Sequence, residues 1–145
     1  KNCNRIKQKI EKKSILFSEI KLNDNIDNFS CLIIDNIGIL SSLYAYCTIA
    51  YVGGGMGTKG LHNTLEPASF SKPIIIGKNY DKFDEAKAMI KNGGMISISN
   101  YDELYNSLER ILSNKVEINR MSKSNSDYFN KQKGAVKIIL KNITK

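Results

Sequence analysis

Between Gly53 and Ala68 the chain reads Gly-Gly-Gly-Met-Gly-Thr-Lys-Gly-Leu-His-Asn-Thr-Leu-Glu-Pro-Ala, with five glycines in its first eight positions. Glycine admits positive φ and lets a ligand come close to the backbone, whose exposed N–H groups can then bind an anionic oxygen. A helix starting near Asn63 or Thr64 directs its positive end at the same place, and Lys59 adds a full charge. The chemistry these residues suit is anion binding. The same spacing also suits a plain glycine turn capped by Asn63, with His62 on the surface, because glycine clusters are common after strands. Two nucleotide mechanisms lose support: Gly-x-x-x-x-Gly-Lys-Ser/Thr is absent, and the glycines do not present the dinucleotide Gly-x-Gly-x-x-Gly in its context.

The elements that must carry this loop are legible from periodicity. Asn4 to Lys13 sets Ile6 and Ile10 at helical spacing among lysines, and Ser14 to Ser18 reads as a strand. Cys31 to Asp35 is a short apolar run bounded by polar residues, the pattern of a strand buried on both faces. A helix is predicted over Ile37 to Cys47, with Leu40, Leu43, Tyr44 and Cys47 on one stripe. The alternation then repeats: strand Ile49 to Val52, the glycine turn, a helix near Asn63 to Phe70, strand Pro73 to Ile76 and a helix near Phe83 to Asn92. Strand Met95 to Ser99 and helix Asp102 to Ser113 follow, the helix facing Leu104, Leu108, Ile111 and Leu112 inward. From Glu117 on only helical patterns remain (Ile118, Met121; Val136, Ile139, Leu140, Ile143). Alternating strands and helices imply βαβ units, so the fold class is α/β, doubly wound, with a mostly parallel sheet covered by helices on both faces. Ligands of such sheets lie at the carboxyl ends of the strands, which makes the loops after Asp35, Val52, Ile76 and Ser99 the informative ones.

With 145 residues and no Pro/Gly/Ser-rich linker, residues 1–145 are expected to form one domain. Hydrophobic residues at 41% and charged residues at 25% sit in the globular range. Apolar runs such as Ile74 to Ile76 and Cys31 to Ile34 fall far short of the roughly 20 residues a membrane span needs. No secretory signal is visible at the start. Cys3, Cys31 and Cys47 fit neither a disulfide framework nor a zinc site and read as free thiols, Cys31 and Cys47 in the core. The net charge of +8 concentrates in Lys7 to Lys13 and Lys123 to Lys145 as solvated helix faces. Only three arginines are present (Arg5, Arg110 and Arg120), without interleaved aromatics, so no nucleic-acid partner is expected.

Four ordered blocks go further: Asp35-Asn36-Ile37-Gly38-Ile39-Leu40-Ser41-Ser42-Leu43-Tyr44, Ala50-Tyr51-Val52-Gly53-Gly54, Gly60-Leu61-His62-Asn63-Thr64-Leu65-Glu66-Pro67-Ala68 and Lys72-Pro73-Ile74-Ile75-Ile76-Gly77. In order and spacing they resemble the 3-deoxy-D-manno-octulosonic acid (Kdo) transferase family, over about residues 30 to 113, and the Gly-x-His-Asn-x-Leu-Glu-Pro stretch is the specific part. The resemblance implies a GT-B glycosyltransferase, of which this chain supplies the C-terminal, Rossmann-like domain, its first strands missing, that holds CMP-Kdo. It implies substrate contacts from Gly38, Ile39, Gly54, Gly55, Met56, Lys59, Gly60, His62, Asn63, Thr64, Leu65 and Glu66. Glu66 maps onto the glutamate that accepts hydrogen bonds from ribose hydroxyls, a role a carboxylate fills because it offers paired acceptors. His62, Asn63 and Lys59 would sit beside the phosphate or the Kdo carboxylate. Where the family has Ile-Gly-Glu-Leu near the cytidine, this chain has Ile39 in place of the acid, which leaves backbone contacts from Gly38 and Ile39.

The same resemblance implies Kdo transfer to a lipid A precursor in lipopolysaccharide synthesis. The catalytic base belongs to an N-terminal domain outside this chain, and no cofactor or metal is expected, the donor-site loops having no Asp-x-Asp pair. The expected partners are CMP-Kdo here and the lipid A precursor at the other domain. The full-length protein is expected peripherally at the cytoplasmic face of the inner membrane, and the chain alone to be soluble, to bind CMP weakly and to transfer nothing. Two other readings stay open on the residues: a donor domain of another GT-B transferase using a UDP- or GDP-sugar, and a non-catalytic nucleotide-binding domain.

Overall fold

The computed structural model describes residues 2–58 and 60–132. Its elements are α1 (Asn2–Lys9), β1 (Ser14–Leu16), β2 (Cys31–Ile33), α2 (Leu40–Leu43), β3 (Ala50–Val52), α3 (Leu65–Ser69), β4 (Ile74–Gly77), α4 (Asp84–Lys91), β5 (Met95–Ile98), α5 (Tyr101–Leu112) and α6 (Lys115–Gln132). The chain forms two compact units, Lys1–Ser42 and Leu43–Lys145. The expected α/β alternation is present and every described strand pairing is parallel, but the strands fall into a two-stranded sheet and a three-stranded one.

In the first unit β1 pairs with β2, Ile15 opposite Leu32. A 3-10 turn, Phe17–Glu19, follows β1. Glu19 accepts the Leu16 N–H at 3.3 Å and pairs with Lys7 of α1, and the Lys7 bond, followed by the Leu16 one, lowers its carboxyl pKa. Ser18 donates its hydroxyl and its N–H to Asp35, and these bonds lower the Asp35 pKa likewise. β2 is shorter than expected and not buried on both faces: it ends at Ile33, has one strand neighbour, and leaves Leu32 42% exposed. Cys31 and Cys47 are half-buried rather than core, and all three cysteines are free thiols.

The predicted helix over Ile37 to Cys47 condenses to the single turn of α2. Gly38 stands at φ 101° ahead of it, and after Leu43 the chain closes a tight turn, with the Tyr46 N–H on the Leu43 carbonyl at 3.0 Å. Paired serines at 41 and 42 compete with helical hydrogen bonding, which explains the brevity. Lys72 Nζ donates to the Ala45 carbonyl at 3.0 Å and so holds the following turn.

The second unit contains the strand order β3-β4-β5, and its central strand explains its solidity. Ile74, Ile75 and Ile76 are all fully buried, and alternation sends them to opposite faces. Ile74 and Ile76, with Val52 and Met95, pack against Ala68 of α3 and Ala86 and Met89 of α4. Ile75 and Ile98 pack against Ile111 of α5 and Met121 of α6. Burial of each isoleucine contributes about 2 to 3 kcal/mol, and the result is a sheet sandwiched by helices, as the periodicity predicts. Helix α5 starts where Asn100 accepts the Glu103 N–H at 2.9 Å while Glu103 reaches back to the Ser99 N–H at 2.7 Å. Leu112, expected inward, is 58% exposed because the helix ends there, at the rim of the Leu104–Leu108–Ile111 stripe.

Helix α6 ties the amino ends of two strands together. Buried Asn125 donates through Nδ2 to the Lys72 carbonyl at 2.7 Å and the Gly94 carbonyl at 2.8 Å, the residues leading into β4 and β5. Glu117 bonds Arg110 of α5 and Arg120 of its own helix, each at 2.8 Å. The expected contacts of Val136, Ile139, Leu140 and Ile143 lie outside the described residues.

Candidate functional site

The glycine loop leaves β3 at Gly53 and is folded by its own backbone. Gly54 and Gly60 adopt φ of 91° and 92°, a region closed to most side chains, and a Cβ on Gly54 would overlap the Gly60 carbonyl. The Gly57 N–H bonds the Gly54 carbonyl at 3.4 Å, and the His62 N–H returns to the Gly53 carbonyl at 3.0 Å, so the loop is a closed excursion.

The loop is seated against the end of β4. A Cβ on Gly77 would overlap Gly55 and Met56, and a Cβ on Gly55 would stand 3.0 Å from the Gly77 nitrogen and oxygen. These two glycines are what let the backbones meet. Asn79 completes the join, with its N–H on the Gly55 carbonyl at 2.8 Å and its Nδ2 on the Gly57 carbonyl at 3.1 Å. Among the described residues, the N–H groups of Gly55, Met56 and Thr58 have no acceptor within the protein. Met56 is exposed at the loop tip.

Beyond the loop, Asn63 arranges the start of α3. Its Oδ1 accepts the Leu65 N–H at 3.0 Å, and its Nδ2 donates to Glu66 Oε1 at 2.9 Å, fixing the carboxylate on the first turn. Tyr44 stands near Glu66: burial first, then the Glu66 charge, raises its phenol pKa. Burial likewise raises the Cys47 thiol, against the opposing pull of Lys72. Thr64 is buried with Oγ1 unpartnered among the described residues, and Leu65 is exposed.

The arrangement corrects one physical expectation. α3 is a five-residue helix, Leu65–Ser69, not a helix from Asn63 to Phe70. Pro67 sits in its first turn, and Ser71 turns the chain away at φ 57°. So short a helix has little macrodipole, so its end adds less positive potential than the sequence led one to expect. Gly54, Gly55, Met56, Gly60, His62, Asn63, Thr64, Leu65 and Glu66 are thus brought into one continuous segment at the carboxyl end of β3. Lys59 lies outside the described residues. Gly38 and Ile39 belong to the first unit, in the bend after β2.

Residues 79–83 lie in the loop after Ile76 that the sequence marks as informative, but the sequence alone assigns them no substrate contact. A cleft of about 610 Å³ opens beside the loop, lined by Gly57, Thr58, Gly60, Asn79, Asp81, Lys82 and Phe83. Phe83 packs on the core and faces Gly60, so it closes the cleft from the apolar side. The signal for it was the polar run directly after Gly77, at the carboxyl end of the most buried strand. Among the described residues no cluster of His, Cys, Asp or Glu could hold a metal ion, and no helix is long and apolar enough to cross a membrane.

Parallel βα units with a glycine loop at a strand's carboxyl end, closing on a helix that carries a glutamate, make up the Rossmann-like half of a GT-B glycosyltransferase fold. In that class the chain is a relative of the Kdo transferases. It is 29% identical over 116 residues to the 3-deoxy-D-manno-octulosonic acid transferase of Haemophilus influenzae, covering 79% of this chain and 27% of that protein. It is 37% identical over 94 residues to the enzyme of the same name from Aquifex aeolicus, covering 64% of this chain and 27% of that one. The chain therefore aligns with about a quarter of the length of these relatives. In fold it is similar to the C-terminal CMP-Kdo binding domain of WaaA from Acinetobacter baumannii, with a TM-score of 0.75 at 19% identity, over 86% of this chain and 65% of that one. No protein-family model matches the chain.

Proposed function

We propose that this chain is the donor-binding part of a Kdo transferase and holds CMP-Kdo for transfer to a lipid A precursor. The observation that carries the reading is the loop's pairing of two features: backbone N–H groups at Gly55, Met56 and Thr58 that have no acceptor among the described residues, and a glutamate fixed by Asn63 a few residues on. The amides suit a phosphodiester oxygen, and the Glu66 carboxylate suits the two ribose hydroxyls of a cytidylate. The kinship with Kdo transferases supports the choice of CMP over other nucleotides.

In this reading the loop amides and His62, with the charge that Lys59 brings to the same stretch of sequence, stabilise negative charge as it develops on departing CMP. The displacement is inverting at the anomeric carbon. A base from the acceptor-binding domain of the full-length protein takes the proton of the lipid A precursor's hydroxyl. Closure over the donor excludes water. The complete protein works at the cytoplasmic face of the inner membrane, where its acceptor's headgroup lies.

Thermal-shift titration of the chain with CMP, UDP and GDP tests the reading. CMP is expected to stabilise the fold at lower concentration than either of the others. Equal shifts, or a preference for UDP or GDP, would redirect it to another sugar donor.

A further inference from the structure

The cleft beside the glycine loop has a lining unlike that of the loop itself. Its groups are one ammonium (Lys82), one carboxylate (Asp81), an amide (Asn79), a hydroxyl (Thr58) and one apolar wall (Phe83). An aromatic wall with a few convergent polar groups suits a polyhydroxylated ring, whose C–H face packs on the ring while its hydroxyls find donors and acceptors. Among the described residues neither Lys82 nor Asp81 forms an ion pair, so both remain available to a ligand. Asn79 links the cleft to the phosphate cradle directly, since its own bonds run to the carbonyls of Gly55 and Gly57.

We infer that this cleft takes the sugar-acid end of the donor, with Lys82 paired to the sugar's carboxylate. This rests on the CMP-Kdo reading and deepens it, dividing the donor between two sets of residues. The loop and Glu66 take the nucleotide. The segment from Asn79 to Phe83 takes the eight-carbon acid, with Lys82 on the carboxylate and Asp81 and Thr58 on the hydroxyls. The cleft volume of about 610 Å³ lies within the roughly 300–1,000 Å³ of small-molecule sites. Lys82 would then select acidic sugars over neutral ones, because a neutral sugar gives its charge no partner.

Calorimetric titration of the chain with CMP and with freshly prepared CMP-Kdo separates the outcomes. Lys82→Met is expected to bind CMP as the unmodified chain does and to lose about tenfold in affinity for CMP-Kdo, the scale of one charge-assisted bond. Lys82→Arg, which keeps the charge, is expected to restore most of that loss. Unchanged CMP-Kdo affinity in Lys82→Met would overturn the assignment, as would an equal loss for CMP and CMP-Kdo, which would place Lys82 on the phosphate. Binding of neither compound by the unmodified chain would sink the CMP-Kdo reading itself, and this assignment with it. Thermal melting of each variant without ligand separates lost affinity from lost fold.

Discussion

Asn79 holds Gly55 and Gly57 together with one residue's worth of donors: its N–H reaches the Gly55 carbonyl at 2.8 Å and its side-chain amide the Gly57 carbonyl at 3.1 Å. The loop after β3 is thereby registered on the loop after β4, over the contact of Gly55 with Gly77. The two loops behave as one surface, so a change on one should be felt by ligands of the other.

Gly77→Ala is the sharpest check of that contact. The added methyl would overlap the backbone of Gly55 and Met56, which cannot swing aside as a side chain can. A loss of about 2 kcal/mol or more in urea unfolding, together with lost CMP binding, is expected. Gly57→Ala is the internal control. Its methyl meets nothing within 4 Å and its φ is not positive, so stability should stay within about 0.5 kcal/mol. Equal behaviour of the two variants would mean that the loop does not sit on β4 as described.

The bond from Asn63 Nδ2 to Glu66 Oε1 predicts non-additivity. Glu66→Ala removes the carboxylate and should weaken CMP about tenfold. Asn63→Ala removes its orientation and should weaken CMP less, by about threefold. The double variant should resemble Glu66→Ala, because an absent carboxylate needs no orienting. Calorimetry with CMP and 2′-deoxy-CMP provides the readout: loss of the 2′-hydroxyl should matter to the unmodified chain and not to Glu66→Ala. Multiplicative losses in the double variant would show Asn63 and Glu66 acting separately.

What could be read from the sequence follows how locally each feature is determined. The strand Ile74–Gly77 was legible because three consecutive β-branched isoleucines, too few for a helix and flanked by a proline and a glycine, favour a buried strand. α5 was legible in the stripe of Leu104, Leu108 and Ile111, whereas its start at Tyr101, set by the reciprocal bonds of Asn100 and Glu103, was not read. α2 was not, since its apolar stripe promised three turns while Gly38, Ser41 and Ser42 weaken the backbone bonding that the stripe does not report. In the candidate site, Asn63 was named from the residues as a cap, and the contacts expected of Asn63 and Glu66 came from the resemblance to Kdo transferases, not from their spacing. Asn79 and Lys82, in the loop after Ile76 that was expected to be informative, were given no contact, because what brings them beside Gly57 is the parallel pairing of β3 with β4, a contact across more than twenty residues. The helix after the glycine loop was anticipated as longer than the five residues Leu65–Ser69 that the structure shows.

Asn125 is a structural prediction independent of any ligand. Its Nδ2 satisfies the Lys72 and Gly94 carbonyls from a fully buried position, while Gly94 has no side chain because Asn125 occupies the space a Cβ would need. Asn125→Ala leaves the part-buried Lys72 carbonyl without its donor and the Gly94 carbonyl with the Ile74 N–H alone, and it opens a cavity, so it should cost about 2 to 3 kcal/mol in urea unfolding. Asn125→Asp keeps the volume but removes the donor, and should be destabilised to a similar degree at neutral pH. Near-native stability in both variants would show that these bonds contribute little to holding α6 under the sheet.

Glu117 supplies a pH signature for the α5–α6 junction. Its bonds to Arg120 and then Arg110 hold its carboxyl at about 2, against an ordinary 4.5. A carboxyl lowered in the folded state contributes stability that is complete above the unfolded value and is lost as pH falls through the folded one. The window therefore runs from about pH 4.5 down to about pH 2. Both arginines are more than half exposed, so water screens the pairs and about 1 kcal/mol is the expected scale. Glu117→Gln should accordingly be less stable than the unmodified chain by about 1 kcal/mol at pH 7, and the gap should narrow below pH 4.5 and close near pH 2. Added salt should narrow it at pH 7 as well. A gap of constant size across that range would mean that Glu117 acts through packing at the start of α6, with its charge contributing nothing.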